Sequence, residues 1–218
     1  MVLVVLVVCL GVFGIIAYRL DNTPYTIAGA LAIIGHAAVG VFVIPIVPYD
    51  WDIYTFHEAA MTLLNGGIPQ GRLSNVAFGT VMAGIYTLFG SDPAVVSVVN
   101  GLLAALVPIP AVALVRVLYP DRRQPMALLI GLVLFLPLPF VFLSIPMRDA
   151  LAVLSFFLAI ALIARGMVSS NRNYLIAVVP LVMLVLLRPE LGGVIGVGIG
   201  LTALYAIGHR FRDRPVAD

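Results

Sequence analysis

Long apolar runs, broken by short charged stretches, dominate the chain. A helix that crosses a bilayer needs about 20 mostly apolar residues. Runs near or above that length occupy residues 1–18, 26–48, 94–117, 125–145, 150–164, 174–187 and 191–208. The fifth and sixth are short and need flanking residues to complete a span. Barrel strands alternate apolar and polar positions, which these runs do not, and open sheet edges are not viable in lipid. The pattern predicts an all-α polytopic membrane bundle of about seven transmembrane helices. Residues 1–25 read as an additional N-terminal helix with a short cytoplasmic loop, 26–208 as the main membrane module, and 209–218 as a cytoplasmic tail. Residues 1–18 lack the basic start and small-residue cleavage site of a signal peptide, which points to a retained helix or a start codon placed late.

Segment 73–90 follows a different pattern. Its apolar part, Val76 to Leu88, is short for a span. Phe78, Val81, Met82, Ile85, Leu88 and Phe89 fall on one helical face, and Gly79, Thr80, Ala83, Gly84 and Thr87 on the other. This predicts a helix lying in the membrane interface, the alternative being an eighth span. Charge separates the two. With 73–90 flat, one side receives Arg19, Arg116, Arg122, Arg123, Arg165, Arg172, Arg210, Arg212 and Arg214. The other side, residues 49–93, 146–149 and 188–190, receives only Arg72, Arg148 and Arg188. That is a positive-inside bias, which a crossing segment would scramble. It places the N-terminus outside and the long loop 49–93 on the extracytoplasmic face of a prokaryotic cytoplasmic membrane. Asp50, Asp52, Glu58, Asp92, Asp149 and Glu190 gather on that same face.

Composition agrees. Of 218 residues, 62% are hydrophobic and 10% charged, and mean hydropathy is +1.16. Soluble domains run at about 45–50% apolar and about 25% charged. So few charges cannot coat a chain of this size in water, which excludes a soluble enzyme, a disordered regulator and a nucleic-acid binder. A net charge of +2 adds no case for a polyanionic partner. The single cysteine, Cys9, excludes a disulfide framework and a cysteine-based metal site.

The candidate chemistry begins at residues 49–67, YDWDIYTFHEAAMTLLNGG. Ile53, Phe56, Ala60, Leu63 and Leu64 predict one apolar helix face, and Asn65-Gly66-Gly67 a stop. Asp52 stands where it would cap this helix, or act as a general base at the membrane surface. Asp50 could join it around Mg²⁺ or Mn²⁺, since hard cations take oxygen ligands. One turn on, His57 and Glu58 read as acid/base or metal support, or as plain polar-face residues.

Residues 52–69, DIYTFHEAAMTLLNGGIP, resemble the first external loop of GT-C class integral-membrane glycosyltransferases. The segment GTVMAGIYTLFGSDPAVVSVVNGLLAAL resembles that class's flat juxtamembrane helix and following span. SIPMRDALAVLSFFLAIALIAR matches an Arg-x-Asp-like signature at Arg148 and Asp149, and LVLLRPELGG an Arg-Pro-Glu segment at Arg188, Pro189 and Glu190. The nearest group is the polyprenol-phosphate-mannose-dependent mannosyltransferases and their aminoarabinose-transferring relatives. The likeness covers residues 26 to about 208, shortened to the N-terminal membrane module, and departs from the class where Arg72-Leu-Ser-Asn75 replaces its Pro-Pro and Lys or His. It implies sugar transfer from a polyprenyl-phosphate donor to a glycan, lipid or protein hydroxyl, with inversion. Asp52 falls on the class's catalytic acid. Arg72, Arg148 and Arg188 are the outward arginines that such a lipid phosphate would need, with Asp149 and Glu190 in support. The plainer reading of the last four is Arg–acid pairs that anchor helix ends.

Several positions remain outside that scheme. His36 and Asn100 sit within predicted spans and read most simply as hydrogen-bonded packing residues, while Arg116 can snorkel to the cytoplasmic surface. Residues between Pro137 and Pro146 are expected to break the fourth span and open a cleft. Gly192, Gly196 and Gly200 have the spacing of close helix packing. Two other functions compete: a transporter or flippase, for which no internal repeat is visible, and a non-catalytic bundle that binds lipid, a partner subunit or a second copy.

Overall fold

The computed structural model describes residues 1–46, 52–120, 126–169, 172–194, 196–198 and 200. Asp50, the predicted tail 209–218 and most of the predicted span 191–208 lie outside them. Every regular element among the described residues is helical. In chain order they are α1 (Val2–Tyr18), α2 (Thr23–Ala38), α3 (Asp52–Leu64), α4 (Leu73–Phe89), α5 (Pro93–Leu106), α6 (Pro108–Leu118), α7 (Met126–Phe135), α8 (Pro137–Ser144), α9 (Asp149–Val168) and α10 (Arg172–Leu187).

Local chemistry explains the boundaries. Asn22 caps α2 by accepting from the Tyr25 N–H at 3.0 Å, and Asp92 caps α5 by accepting from the Ala94 N–H at 2.9 Å. Both helices then carry proline in the first turn, where no donor is lost. Past α3, Gly66 takes φ +77°, the left-handed conformation that its predicted stop requires. Beyond Ala38 the second helix loosens into a π turn, Val39–Val43. There Gly40 lies against Ser97, so close that a Cβ would stand 2.7 Å from the serine's own.

Three helices are long and apolar enough to cross a bilayer on their own: Thr23–Val43, Pro93–Leu118 and Asp149–Val168. The second joins α5 to α6 through Val107, which keeps right-handed helical angles. The others are shorter than a full span of about 20 residues. α1 has 17 residues and α10 has 16. The predicted fourth span breaks at Leu136-Pro137 into α7 and α8, because proline cannot continue the hydrogen-bond ladder behind it. The chain also turns at Arg188-Pro189. A Cβ on Gly192 would contact Val185, whereas a straight helix holds residues seven apart at about 10 Å. Among the described residues nothing lies within 4 Å of a Cβ at Gly196 or Gly200, so the predicted close packing through these two is not seen.

Two apolar cores fill the bundle. One joins Val5, Cys9 and Phe13 of α1 to Ile33 of α2, Val95 and Val98 of α5, and Ile130 and Leu134 of α7. The other joins Phe56 of α3, Phe78 and Met82 of α4, Val96 of α5, Ala152 of α9, and Leu184 and Leu187 of α10. Outside the cores, α1 presents Leu3, Val7 and Ile15, and α10 presents Leu175, Val179 and Val182, all exposed. Apolar helix faces of this extent are what lipid, not water, accommodates.

The predicted face of α4 requires correction. Phe78 and Met82 are buried as expected, but so are Gly79, Ala83 and Tyr86, while Leu88 is exposed. The helix is rotated because Gly79 is the contact point with α3: a Cβ there would stand 2.6 Å from the Ala59 Cβ. Gly79→Ala is therefore expected to lose about 1–3 kcal/mol of stability from overpacking. Gly84→Ala, whose Cβ meets nothing within 4 Å, is expected to gain about 0.5–1 kcal/mol from helix propensity. Chemical unfolding of the two variants in detergent micelles checks the opposite signs.

His36 is a packing residue, as its plainer reading holds. It is buried, tilted on Phe140 with ring centroids 4.3 Å apart, and 2.7 Å from Ser144 Oγ. The serine spends its proton on the Phe140 carbonyl, also at 2.7 Å, so the imidazole Nδ1–H is the donor between them. This contact pins α8 against α2.

Candidate functional site

The start of α9 is where the charged residues meet. The preceding turn, residues 145–148, is held from inside the bundle by Asn100 of α5. The Asn100 amide is buried and donates to the Ile145 carbonyl at 2.7 Å and the Met147 carbonyl at 3.0 Å. That clamp sets where Arg148 and Asp149 emerge.

Arg148 and Asp149 then point to different partners. Arg148 lies with its guanidinium carbon 5.6 Å from the centre of the Phe56 ring, in cation–π range, and donates to Asn75 Oδ1 at 3.4 Å. It thus ties α9 to α3 and α4. Asp149 instead forms an ion pair with Arg188, at the turn after α10. Arg188 also reaches Glu190 at 3.5 Å. The side chains of Arg188 and Asp149 are about a quarter exposed (27% and 24%), and that of Glu190 is mostly exposed (60%). A half-buried guanidinium between two carboxylates is held firmly, because the low local dielectric strengthens each attraction.

Of the two pairs expected between sequence neighbours, Arg188–Glu190 forms, while Asp149 pairs with Arg188 instead of Arg148. Arg148 and Asp149 are adjacent near the helix start, and successive residues on a helix do not face each other. The productive pair spans α9 and α10.

Asp52 is the first residue of α3. It stands one turn before Phe56, whose ring packs against the Arg148 guanidinium. Its side chain, like all of Asp50, lies outside the described residues, and so does their predicted sharing of a divalent cation. Among the described residues no three His, Cys, Asp or Glu stand close enough to hold a metal ion. His57 turns to α4, with Nδ1 2.9 Å from the Tyr86 hydroxyl and the rings edge to face. Burial, and after it the Asp92 carboxylate, push the Tyr86 phenol above its ordinary pKa, so it stays a neutral hydroxyl beside the imidazole. Glu58 is exposed, and Arg72 is exposed at the start of α4, three residues before Asn75. Arg188 thus meets Asp149 at the cavity, Arg148 turns to Phe56 and Asn75, and His57 is drawn into the α3–α4 contact.

Beside the ion pair opens a cavity of about 450 Å³ between α5, α7, α8 and α9. Val107, Val133, Pro139, Phe142 and Phe157 make its walls apolar, while Asp149 and Arg188 are its charged residues. Residues on both sides of the Leu136-Pro137 break line it, Val133 of α7 and Pro139 and Phe142 of α8. Asn75 and Phe56 carry no signal in the sequence that marks them as partners of Arg148. Asn100 does, as a polar residue deep in a span.

Comparison with family models, with curated proteins and with solved structures finds no match for this chain.

Proposed function

We propose that the chain binds a polyprenyl-phosphate sugar and transfers the sugar to a hydroxyl group on the extracytoplasmic face. The observation that carries this reading is the apolar cavity with Arg188 at its charged edge. A lipid with a phosphate head needs that juxtaposition: apolar walls for the isoprenoid chain and a guanidinium for the phosphate. Arg148, one residue from Asp149 and close to the start of α3, supplies a second guanidinium. The resemblance of residues 52–69, 148–149 and 188–190 to GT-C glycosyltransferases supports the same assignment.

Sidedness fits the reading. Asp149 lines this cavity at one end of α9, and Arg165 stands sixteen residues on, about 24 Å away along the helix axis. Arg116 lies near Arg165, with Leu20 and Asn22. Among the described residues, Leu20, Asn22, Arg116 and Arg165 thus stand at one end of α9 and Asp149 and Arg188 at the other, which supports the sidedness assigned by charge. On this reading α3 and α4 lie in the outer interface and about seven spans cross, the short ones completed by flanking residues.

In the proposed reaction the acceptor hydroxyl attacks the anomeric carbon as its proton passes to the Asp52 carboxylate. The bond from that carbon to the phosphate oxygen breaks, and polyprenyl phosphate leaves with the electron pair. Attack from the face opposite the phosphate inverts the configuration.

A non-catalytic lipid-binding bundle is the second reading. It is favoured by the two carboxylates that already surround Arg188. Incubating purified protein with polyprenyl-phosphate-mannose and a hydroxyl acceptor separates them. Transfer or hydrolysis supports the enzyme, saturable binding without turnover supports the bundle, and neither overturns both. Arg188→Gln is expected to weaken retention of the lipid phosphate about tenfold or more, the worth of one charge-assisted hydrogen bond. An unchanged affinity removes Arg188 from the phosphate site.

A further inference from the structure

A second cavity, of about 250 Å³, lies at the far end of the bundle from Asp149. Leu20, at the end of α1, and Asn22 and Tyr25, at the start of α2, form one wall. Ile109 of α6 is apolar lining, and Arg116 and Arg165, in the last turns of α6 and α9, bring the charge.

We propose that this cleft binds the phosphate headgroup of an anionic phospholipid in the cytoplasmic leaflet. Four observations converge on that occupant. Arg116 and Arg165 come from helices that are separate in sequence, yet they line one cavity, and neither has a carboxylate within ion-pair distance among the described residues. Among the described residues no Asp or Glu lines the cavity. Asp21, the acid nearest in sequence, is exposed in a left-handed turn at φ 47° and does not enter the lining. Two uncompensated guanidiniums on one cavity repel each other unless an anion joins them, and a phosphate accepts from both.

The Asn22 amide adds a neutral donor. Its carbonyl oxygen is used by the Tyr25 N–H, which leaves Nδ2 with no partner among the described residues. Tyr25 belongs to the wall, not to the ligand set, because its hydroxyl already donates to the Ala105 carbonyl at 2.6 Å. The remaining lining is apolar, which suits glycerol and the first acyl carbons. The volume is below the roughly 300–1,000 Å³ of a site that encloses a whole small molecule. It therefore seats a headgroup while the acyl chains stay in the bilayer. Basic pockets between helices at the cytoplasmic surface, where anionic lipids concentrate, have this form.

The full chain in detergent micelles, titrated with dioleoylphosphatidylglycerol and followed by native mass spectrometry, tests the site. One retained phosphatidylglycerol per chain is expected, held about tenfold more tightly than dioleoylphosphatidylcholine. Arg116→Gln with Arg165→Gln is expected to remove that preference, and Arg116→Lys with Arg165→Lys to keep most of it. Both side chains are exposed, so unfolding temperature without lipid serves as the control for folding. Equal retention of the two lipids by the wild type overturns the proposal, whatever the variants do. So does a double-Gln variant that folds and keeps the preference. Water-soluble glycerol 1-phosphate is the third arm. Displacement of the lipid at equal concentration would show a free-phosphate site and overturn the lipid assignment.

Discussion

Asp52→Asn is expected to lower sugar transfer in the reconstituted assay by about 10²–10⁴-fold, the usual worth of a positioned general base. The change keeps size and shape while removing the group that takes the hydroxyl proton. Stability is expected to stay within about 0.5 kcal/mol, since asparagine serves a helix start as well as aspartate does. The prediction rests on the place of Asp52 as first residue of α3, one turn from the Phe56 ring that carries Arg148. Full transfer by the asparagine variant would remove Asp52 from the mechanism. A loss of transfer matched by a loss of folded protein would reassign it to structure, and circular dichroism on the same sample separates the two.

The largest effect on stability is expected at Asn100. Replacing it with Leu keeps a similar volume but removes both hydrogen bonds to the 145–148 turn. The Met147 carbonyl then loses its donor inside the bundle, at a cost of about 1–3 kcal/mol, and the Ile145 carbonyl keeps only the Met147 N–H at 2.7 Å. For a chain of this length, a combined loss of about 3 kcal/mol lowers the unfolding temperature by roughly 6–12 °C. The same turn sets Arg148 and Asp149, so lipid-phosphate retention is expected to fall with it, although Asn100 stands away from the ion pair. Thermal unfolding and lipid retention measured together check this. A variant as stable as the wild type would show that the turn holds itself.

How much of this was legible beforehand differs by feature. The helices were, because apolar runs with glycines and prolines at their edges are local signals: Gly66 and Pro137 act where the sequence implies. The packing role of His36 was legible too, though not its serine partner 108 positions away. The rotation of α4 was not. A face assigned by hydrophobicity treats Gly79 as weakly polar, whereas in a helix contact its missing side chain is the asset. Nor was the Arg188–Asp149 pair. Nearness in sequence suggested two local pairs; Arg188–Glu190 forms, but adjacent residues on a helix do not face each other, and Asp149 finds Arg188 instead of Arg148.

The sequence by itself therefore determined an all-helical chain suited to lipid, with its scarce charges sorted into two groups. Those properties follow from residue type and short-range periodicity, which need no knowledge of neighbours. Only the tertiary structure decided which charges meet, that Asn100 holds the turn presenting them, and that a cavity lined from both sides of the Pro137 break lies beside Arg188. Each of these depends on distances between residues tens of positions apart, which are set when helices pack side by side and not before.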